Sequence, residues 1–340
     1  MEMRKLQLVG RASFSVTLPP DWIREYKLKP SDRITISKEE DGSLRLVPGT
    51  MPEEKEIKIT IDADRCKYPG LLGRLIVGGY LKGCDSIEVV SKHTISENHR
   101  REIRDAIDGL MGLGIIESTS DHVTIQCVID HPKFPIVPLL KRLCELASSM
   151  YWDAVQSLKD KDSSLATGII NRENEANKIY WLSQRQLAAA AIDKSILNKV
   201  GLKTTSDLAL YRGISSRMWA VSTYAADIAR NKLAIENGVS DADLQKIIRL
   251  GKMVHEINSN TCKAFFNGDV IMANNTIESY KPIEETKDEL TKDIGPRIKD
   301  VQSLTHLMNI IRDIHRVGRY AKSIAEMTIN NFVAEKNNLP

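Results

Sequence analysis

No stretch of this chain approaches the ~20 consecutive apolar residues that a membrane-spanning helix needs, so insertion into a bilayer is not expected. The opening residues, Met1-Glu2-Met3-Arg4, lack the apolar centre of a secretion signal. Cysteine is sparse and scattered. The five (Cys66, Cys84, Cys127, Cys144, Cys262) are odd in number and form no Cys-x-x-Cys pair. That excludes a zinc knuckle and predicts reduced thiols in the cytoplasm, with no disulfide framework. Charge of one sign is also nearly absent. Lys and Arg number 48 against 45 Asp and Glu, and a net charge of +3 is too small to imply a nucleic-acid partner by itself. Such a reading has to come from where the charge sits. There is no P-loop, no G-x-G-x-x-G after a strand, no G-x-S-x-G and no kinase signature, so nothing supports an enzyme. The histidines (His93, His99, His122, His131, His255, His306, His315) show no metal-ligand spacing.

What is present is an ordinary globular composition, 42% hydrophobic and 27% charged over 340 residues, enough for two or three domains with proper cores. Residues 4–48 predict strand, turn, short helix and hairpin. Phe14, Val16 and Leu18 alternate with Ser13, Ser15 and Thr17 as a half-buried strand stopped by Pro19-Pro20, and Asp21 is placed to cap a short helix with Trp22, Ile23 and Tyr26. After the turn Lys29-Pro30-Ser31-Asp32, Ile34 and Ile36 alternate outward, Glu40-Asp41-Gly42 marks a hairpin, and Leu44 and Leu46 return. A module this small does not bury a stable core alone. Residues 48–56, rich in Pro, Gly and charge, read as a linker.

A small α/β unit follows over residues 55–131. Its strands are expected around Ile57–Ile61, Ile87–Val90, Gly112–Glu117 and Val123–Val128, with helices around Leu71–Leu81 and from Glu97, capped by Ser96. Gly78, Gly79, Gly112 and Gly114 read as turn or packing glycines. The unit's expected role is packing, dimerisation or small-molecule sensing, and its residues show no chemistry that chooses among them.

From Pro135 the chain reads as helical. Val317, Tyr320, Ala321 and Ile324 form one stripe at helical period, and these with Ala325 recur 96 residues earlier as Val221, Tyr224, Ala225, Ile228 and Ala229. Each copy closes a run of three helical segments, which predicts a duplicated three-helix unit, at 134–236 and 239–336. Helix two of the first copy is expected over Ser164–Val200, helix three from Ser206. In the second copy, which starts at Ser240-Asp241, Pro282 should kink or break the middle helix. The aromatics Tyr151, Trp152, Tyr180, Trp181, Trp219, Tyr224 and Tyr320 read as bundle core rather than a ligand box.

The closing motif His315-Arg316-Val317-Gly318-Arg319-Tyr320-Ala321-Lys322-Ser323-Ile324-Ala325-Glu326, its echo Trp219–Arg230, and the segment Ile169–Ile179 followed by Tyr180-Trp181-Leu182 and Arg185-Gln186-Leu187 resemble PhoU, the phosphate-uptake regulator, in its archaeal form. The resemblance covers roughly residues 134–335 and implies two tandem three-helix bundles. The segments Phe14–Pro19, Leu28–Ile36 and Asp41–Val47 resemble the AbrB/MazE-type swapped-hairpin domain, over residues 1–49. That resemblance implies a dimeric β-barrel that binds DNA. Ser31 stands where that family usually has Gly and suggests a slightly different turn. The whole is thus expected to be a mainly α multidomain protein: swapped-hairpin barrel, α/β unit, two bundles.

These resemblances set the candidate residues. Residues 1–33 hold seven Lys and Arg against four Asp and Glu, a local excess that a dimer doubles. Arg4, Lys5, Arg11, Arg24, Lys27, Lys29 and Arg33 are therefore the DNA-binding candidates, with Arg4, Lys5 and Arg11 first because they flank the first strand. PhoU proteins carry acidic Glu/Asp-x-x-x-Asp patterns that hold multinuclear iron or zinc. Here Glu173 is followed four residues later by Asn177, and the acid slots of the closing helices are Trp219 and Thr223, then His315 and Arg319. An arginine cannot coordinate and repels a cation. The family metal cluster is thus expected to be lost, with Glu173, Glu175 and Asp227 the leftovers to test and no cofactor expected. The implied function is regulation of phosphate uptake and homeostasis by a cytoplasmic, DNA-binding homodimer whose bundles sense a phosphate transporter component or regulatory protein. The alternative is a non-DNA adaptor that dimerises through its N-terminal module and inhibits a phosphate transporter or its signalling partner.

Overall fold

A computed structural model describes residues 2–38, 42–49, 56–159, 163–235 and 239–335. The chain divides into two compact units, Met1–Glu56 and Ile57–Pro340.

The first unit contains β1 (Gln7–Val9), β2 (Ser13–Ser15), α1 (Pro20–Glu25), β3 (Ile34–Lys38) and β4 (Leu44–Pro48). β1 and β2 form one antiparallel hairpin, with Leu8 opposite Phe14, and β3 and β4 form another, with Ile36 opposite Leu46. The expected first strand is therefore two short strands. The chain reverses at Gly10, whose φ of 71° suits a residue without a Cβ. Three-residue strands are too short to show alternation in the sequence. Asp21 does not cap α1. Pro19 holds that place without a side-chain bond, and Asp21 pairs with Arg24 one turn on. Ser31 does occupy the glycine-like conformation its position demands, at φ 75°. Glu40 and Asp41 of the expected hairpin turn, and most of the expected linker (residues 50–55), lie outside the described residues. No described residue of this unit is buried, and the expected half-burial of Phe14 and Val16 is not met within one chain: they are 65% and 50% exposed.

The second unit begins with the α/β part: β5 (Lys58–Asp62), α2 (Leu71–Leu81), β6 (Ser86–Val90), α3 (Glu97–Asp108), β7 (Leu113–Ser118) and β8 (His122–Cys127). The sheet order is β5-β6-β8-β7, with β5 and β6 parallel and the other neighbours antiparallel. Leu72 and Ile76 of α2 and Ile103 of α3 close a core with Ile61, Ile87, Val89, Val123 and Ile125. Gly79 allows α2 to sit on the sheet, since a Cβ there would lie 2.5 Å from Ile59 Cδ1. Ser96 caps α3 through His99 N–H, as its position predicted.

The helical part comprises α4 (Ile136–Ser157), α5 (Ser164–Ile192), α6 (Lys194–Lys199), α7 (Thr205–Leu233), α8 (Asp241–Asn267), α9 (Val270–Glu278), α10 (Tyr280–Ile294) and α11 (Val301–Glu335). Two three-helix units share one apolar core, in which Leu143, Met150, Ile179 and Val221 of the first join Leu250, Val254, Ile314 and Ile324 of the second. The expected long second helix breaks at Asp193, whose extended backbone ends α5 and whose carboxylate caps α6 through Ser195 N–H. In the second copy the break falls at Ser279. Pro282 sits in the first turn of α10, where its missing N–H costs least. Tyr151 is fully buried, and Trp152, Tyr180, Trp219, Tyr224 and Tyr320 pack half-buried against the core.

One expectation fails outright. Cys144 of α4 and Cys262 of α8 are joined by a disulfide, while Cys66, Cys84 and Cys127 are buried free thiols. Two cysteines 118 residues apart give no sign of pairing in the sequence. The duplication brings α4 against α8 and so brings them together.

Candidate functional site

The seven N-terminal cations are all exposed. Arg4 and Lys5 precede β1, Arg11 lies in the reversal between β1 and β2, Arg24 is on α1, and Lys27, Lys29 and Arg33 line the path from α1 to β3. Two are already engaged. Arg4 pairs with Glu2 and donates to Thr17 Oγ1 at 3.0 Å, and Arg24 pairs with Asp21. The other five form no ion pair among the described residues. The Lys29-to-Asp32 turn is fixed by its own backbone: Lys29 N–H donates to Asp32 Oδ2 at 2.7 Å and Asp32 N–H to Lys29 O at 3.1 Å. Lys27, at φ 52°, ends α1 in the left-handed region. The cations therefore stand on short, turn-defined segments beside uncovered apolar strands. Leu8 is 63% exposed and Ile36 62%.

The leftover acids of the bundles do not gather to hold a metal. Glu173 and Asp227 converge on one guanidinium, that of Arg230, with 2.9 Å between Arg230 Nη1 and Asp227 Oδ1. Glu175 pairs instead with Arg142 at 2.8 Å. The former acid slots are occupied by other chemistry. Trp219 Nε1 donates to Asn177 Oδ1 at 2.6 Å under the stacked ring of Tyr180. His315 Nε2 shares a hydrogen bond of 2.8 Å with the Tyr280 hydroxyl, and Lys322 lies over the Tyr280 ring. Burial, with Lys287 and Arg319 nearby, keeps the His315 imidazole below its usual range, and burial with Glu284 pushes Tyr280 up to about 12. A guanidinium between two carboxylates and a hydroxyl on an imidazole satisfy those groups without a cation. The residues present do not fit the multinuclear metal centre that the family resemblance implies.

Between α7 and α11 lies a charged seam. Asp313 is 1% exposed and faces Arg312 (3.2 Å) and Arg316 (3.5 Å). Burial raises its pKa and the two arginines oppose that rise. Arg316 also covers the ring of Tyr224.

Sequence reasoning missed the joint between the α/β part and the bundle. Arg185 of α5 is 1% exposed. Its guanidinium donates to the carbonyls of Tyr80 (2.6 Å), Cys84 (3.1 Å) and Gly83 (3.3 Å), at the C-terminal end of α2, and lies over the Tyr80 ring. A cation at the carbonyl end of a helix is favourably placed. At the other end of α2, Glu102 of α3 accepts Gly70 and Gly73 N–H at 2.8 and 3.1 Å. Next to Arg185, Gln186 donates to His131 O and Phe134 O, holding the connection into α4. The only signal in the sequence was a charged and an amide residue inside an otherwise apolar helical face.

The family described as "PhoU domain" matches residues 140–231 and 247–328, just over half of the chain. The family described as "Antidote-toxin recognition MazE, bacterial antitoxin" matches residues 7–54. No curated protein matches the chain. Among solved structures, PhoU from Pseudomonas aeruginosa superposes with a TM-score of 0.52 at 20% identity, covering 59% of this chain and 96% of the other. The phosphate transport system regulatory protein PhoU from Streptococcus pneumoniae gives a TM-score of 0.48 at 20% identity, covering 60% and 96%.

Proposed function

The chain belongs to the PhoU domain family, and from that premise we propose that it is a cytoplasmic, non-enzymatic regulator of phosphate uptake that acts on DNA as a homodimer. One observation carries the DNA-binding part. A MazE-type unit is joined to the PhoU bundles, and within one chain that unit buries none of its described residues, leaving Leu6, Leu8, Phe14, Ile36 and Leu44 more than 60% exposed beside seven exposed cations. Uncovered apolar strand faces of this size mark an interface. A second copy interleaving its hairpins would bury them and double the cations. The bundles, with Trp219, Thr223, His315 and Arg319 where the family's metal carboxylates would stand, act in this reading as a metal-free protein-binding platform for a phosphate transporter component or its regulator.

The test is binding of fluorescent duplex DNA, including the chain's own promoter region, over a salt series. Wild type is compared with Arg4→Ala/Lys5→Ala/Arg11→Ala. The expected result is tight binding that falls steeply with salt, and a log–log slope that shrinks by about 0.9 for every phosphate the variant no longer neutralises. No binding at low salt would overturn the reading.

A second reading has one observation in its favour. Residues 1–56 carry ten Lys and Arg and ten Asp and Glu, so the unit as a whole is neutral. In that case the N-terminal unit only joins two copies, and the bundles inhibit a transporter directly. Dimerisation without DNA affinity, with capture of transporter components by the helical region, is the outcome that selects it.

A further inference from the structure

The two three-helix units meet along two helix pairs, α7 with α11 and α4 with α8. On the α4–α8 side, besides the shared apolar core, Trp152 stacks on His255 with ring centroids 4.6 Å apart and Lys141 lies over the Phe266 ring. Tyr151 OH donates to Gly251 O at 3.1 Å, Asn258 Nδ2 donates to Ser148 Oγ at 2.9 Å, and Val155 packs on Gly251. To these the chain adds one covalent bond, between Cys144 and Cys262, with Cα atoms 6.7 Å apart. That separation is within the range a disulfide spans without backbone movement. The other three cysteines lie in the α/β part as buried free thiols. Cys144 and Cys262 are the bonded pair among the described residues, and the bond bridges the two three-helix units.

We propose that Cys144 and Cys262 form a thiol–disulfide switch that sets whether the two three-helix units are locked together or free to part along α4 and α8. Disulfides in a compartment that keeps thiols reduced are usually transient and redox-sensing, so this step rests on the cytoplasmic placement proposed above. Cys262 is half-buried and Cys144 only 4% exposed, so Cys262 is the sulfur that a small oxidant reaches first. With a small disulfide such as oxidised glutathione, the Cys262 thiolate attacks one sulfur, breaking the oxidant's S–S bond and releasing one thiolate. The Cys144 thiolate then attacks the Cys262 sulfur, breaking the mixed disulfide and releasing the second thiolate. The two protons of the cysteine pair end on the two released thiols, and two electrons pass from the pair to the oxidant. The Met218 thioether of α7, with its sulfur 3.9 Å from Cys262 Sγ, packs beside the reacting sulfur.

The experiment uses the full chain, reduced and then equilibrated across a series of glutathione redox ratios. Differential alkylation with mass spectrometry reads which cysteines pair, hydrogen exchange reads the backbone, and thermal unfolding reads stability. The expected result is a single disulfide, Cys144–Cys262, forming before any other pair, with slower amide exchange in α4 and α8 and a Tm higher by roughly 5–15 °C in the oxidised form. The shift should vanish in Cys262→Ser. The wild-type comparison, oxidised against reduced, carries the test even where that variant packs poorly against Met218. Failure of the pair to form at any ratio, or its formation without change in exchange or Tm, overturns the proposal. Both readouts are independent of DNA, so neither outcome bears on the DNA-binding reading.

Discussion

Tyr224 and Tyr320 stack on one another, with ring centroids 5.9 Å apart and planes 20° from parallel. They occupy the same slot of the two copies, 96 residues apart, on α7 and α11. On the other helix pair, Val155 of α4 packs against Gly251 of α8. A residue that packs on its own counterpart lies on an axis of two-fold symmetry. α7 and α11 therefore meet about a local two-fold axis through Tyr224 and Tyr320. Chemistry breaks the symmetry nearby: Arg316 covers Tyr224, and its counterpart Ala220 has no charge to offer Tyr320.

The first prediction concerns the close approach of α4 and α8. A Cβ on Gly251 would lie 2.6 and 2.8 Å from the two γ-carbons of Val155, a fully buried, β-branched side chain with no room to turn. Gly251→Ala should destabilise the protein by about 1–3 kcal/mol. At Gly213 an added Cβ meets the end of the Met327 side chain at 2.6 Å, and a flexible thioether can move aside. Gly213→Ala should be nearly neutral or mildly stabilising, because alanine favours helix. Chemical denaturation of the two variants side by side tests the contrast, and an equal drop in stability for both would contradict it.

The second concerns Arg185. Its removal leaves three carbonyls at the end of α2 without their donor and opens a cavity under Tyr80. Arg185→Ala should cost on the order of 3 kcal/mol. Arg185→Lys should recover only part of this, since an ammonium cannot present the planar fork that reaches three acceptors. Amide exchange should rise at residues 78–86 and in α5, while the N-terminal unit is unaffected. Exchange that rises uniformly through the helical part would show that Arg185 acts on global stability and not on the joint.

The third concerns Ser31. An L-residue with a side chain at φ 75° costs about 1–2 kcal/mol relative to glycine, part of which glycine returns through its greater freedom when unfolded. Ser31→Gly should stabilise the N-terminal unit by about 0.5–1 kcal/mol. The readout is slower amide exchange across α1 and the β3–β4 hairpin. A faster exchange would mean that the serine makes a compensating bond in the dimer.

The fold class and its order of parts were legible because each rests on a repeating pattern. The alternation at Ile57–Ile61, the Ser96 cap and the stripe through Val317 and Ile324 all survive as β5, the start of α3 and the inner face of α11. What was not legible depends on partners far away in sequence. Arg185 binds main-chain carbonyls about a hundred residues distant, and a carbonyl has no sequence signature. Cys144 and Cys262 meet only because α4 and α8 cross. β1 is too short to show a period. Among the weak metal candidates, the sequence showed that Glu173 and Asp227 remained, but not that Arg230 stands between them.

The last prediction concerns pH. Burial lowers the pKa of His255, held against Trp152 at 4.6 Å between ring centroids, and of His315, bonded to Tyr280. Above the unfolded value near 6.5 both imidazoles are neutral in either state and cost nothing. As pH falls below that value, the unfolded chain takes up protons that the folded chain resists, so stability falls with acidification until the folded values are passed. Asp313 acts in the opposite sense. Its pKa is raised in the fold, so its contribution is greatest at low pH and is lost as pH rises from its unfolded value of 3.8 through its raised folded value. Over pH 7 to 5 the histidines should dominate, and Tm should fall. His315→Gln keeps a hydrogen-bonding partner for the Tyr280 hydroxyl but does not titrate, so its Tm should fall less steeply over the same range. A variant whose pH profile runs parallel to wild type would place the acid sensitivity elsewhere, with His255 the next residue to replace.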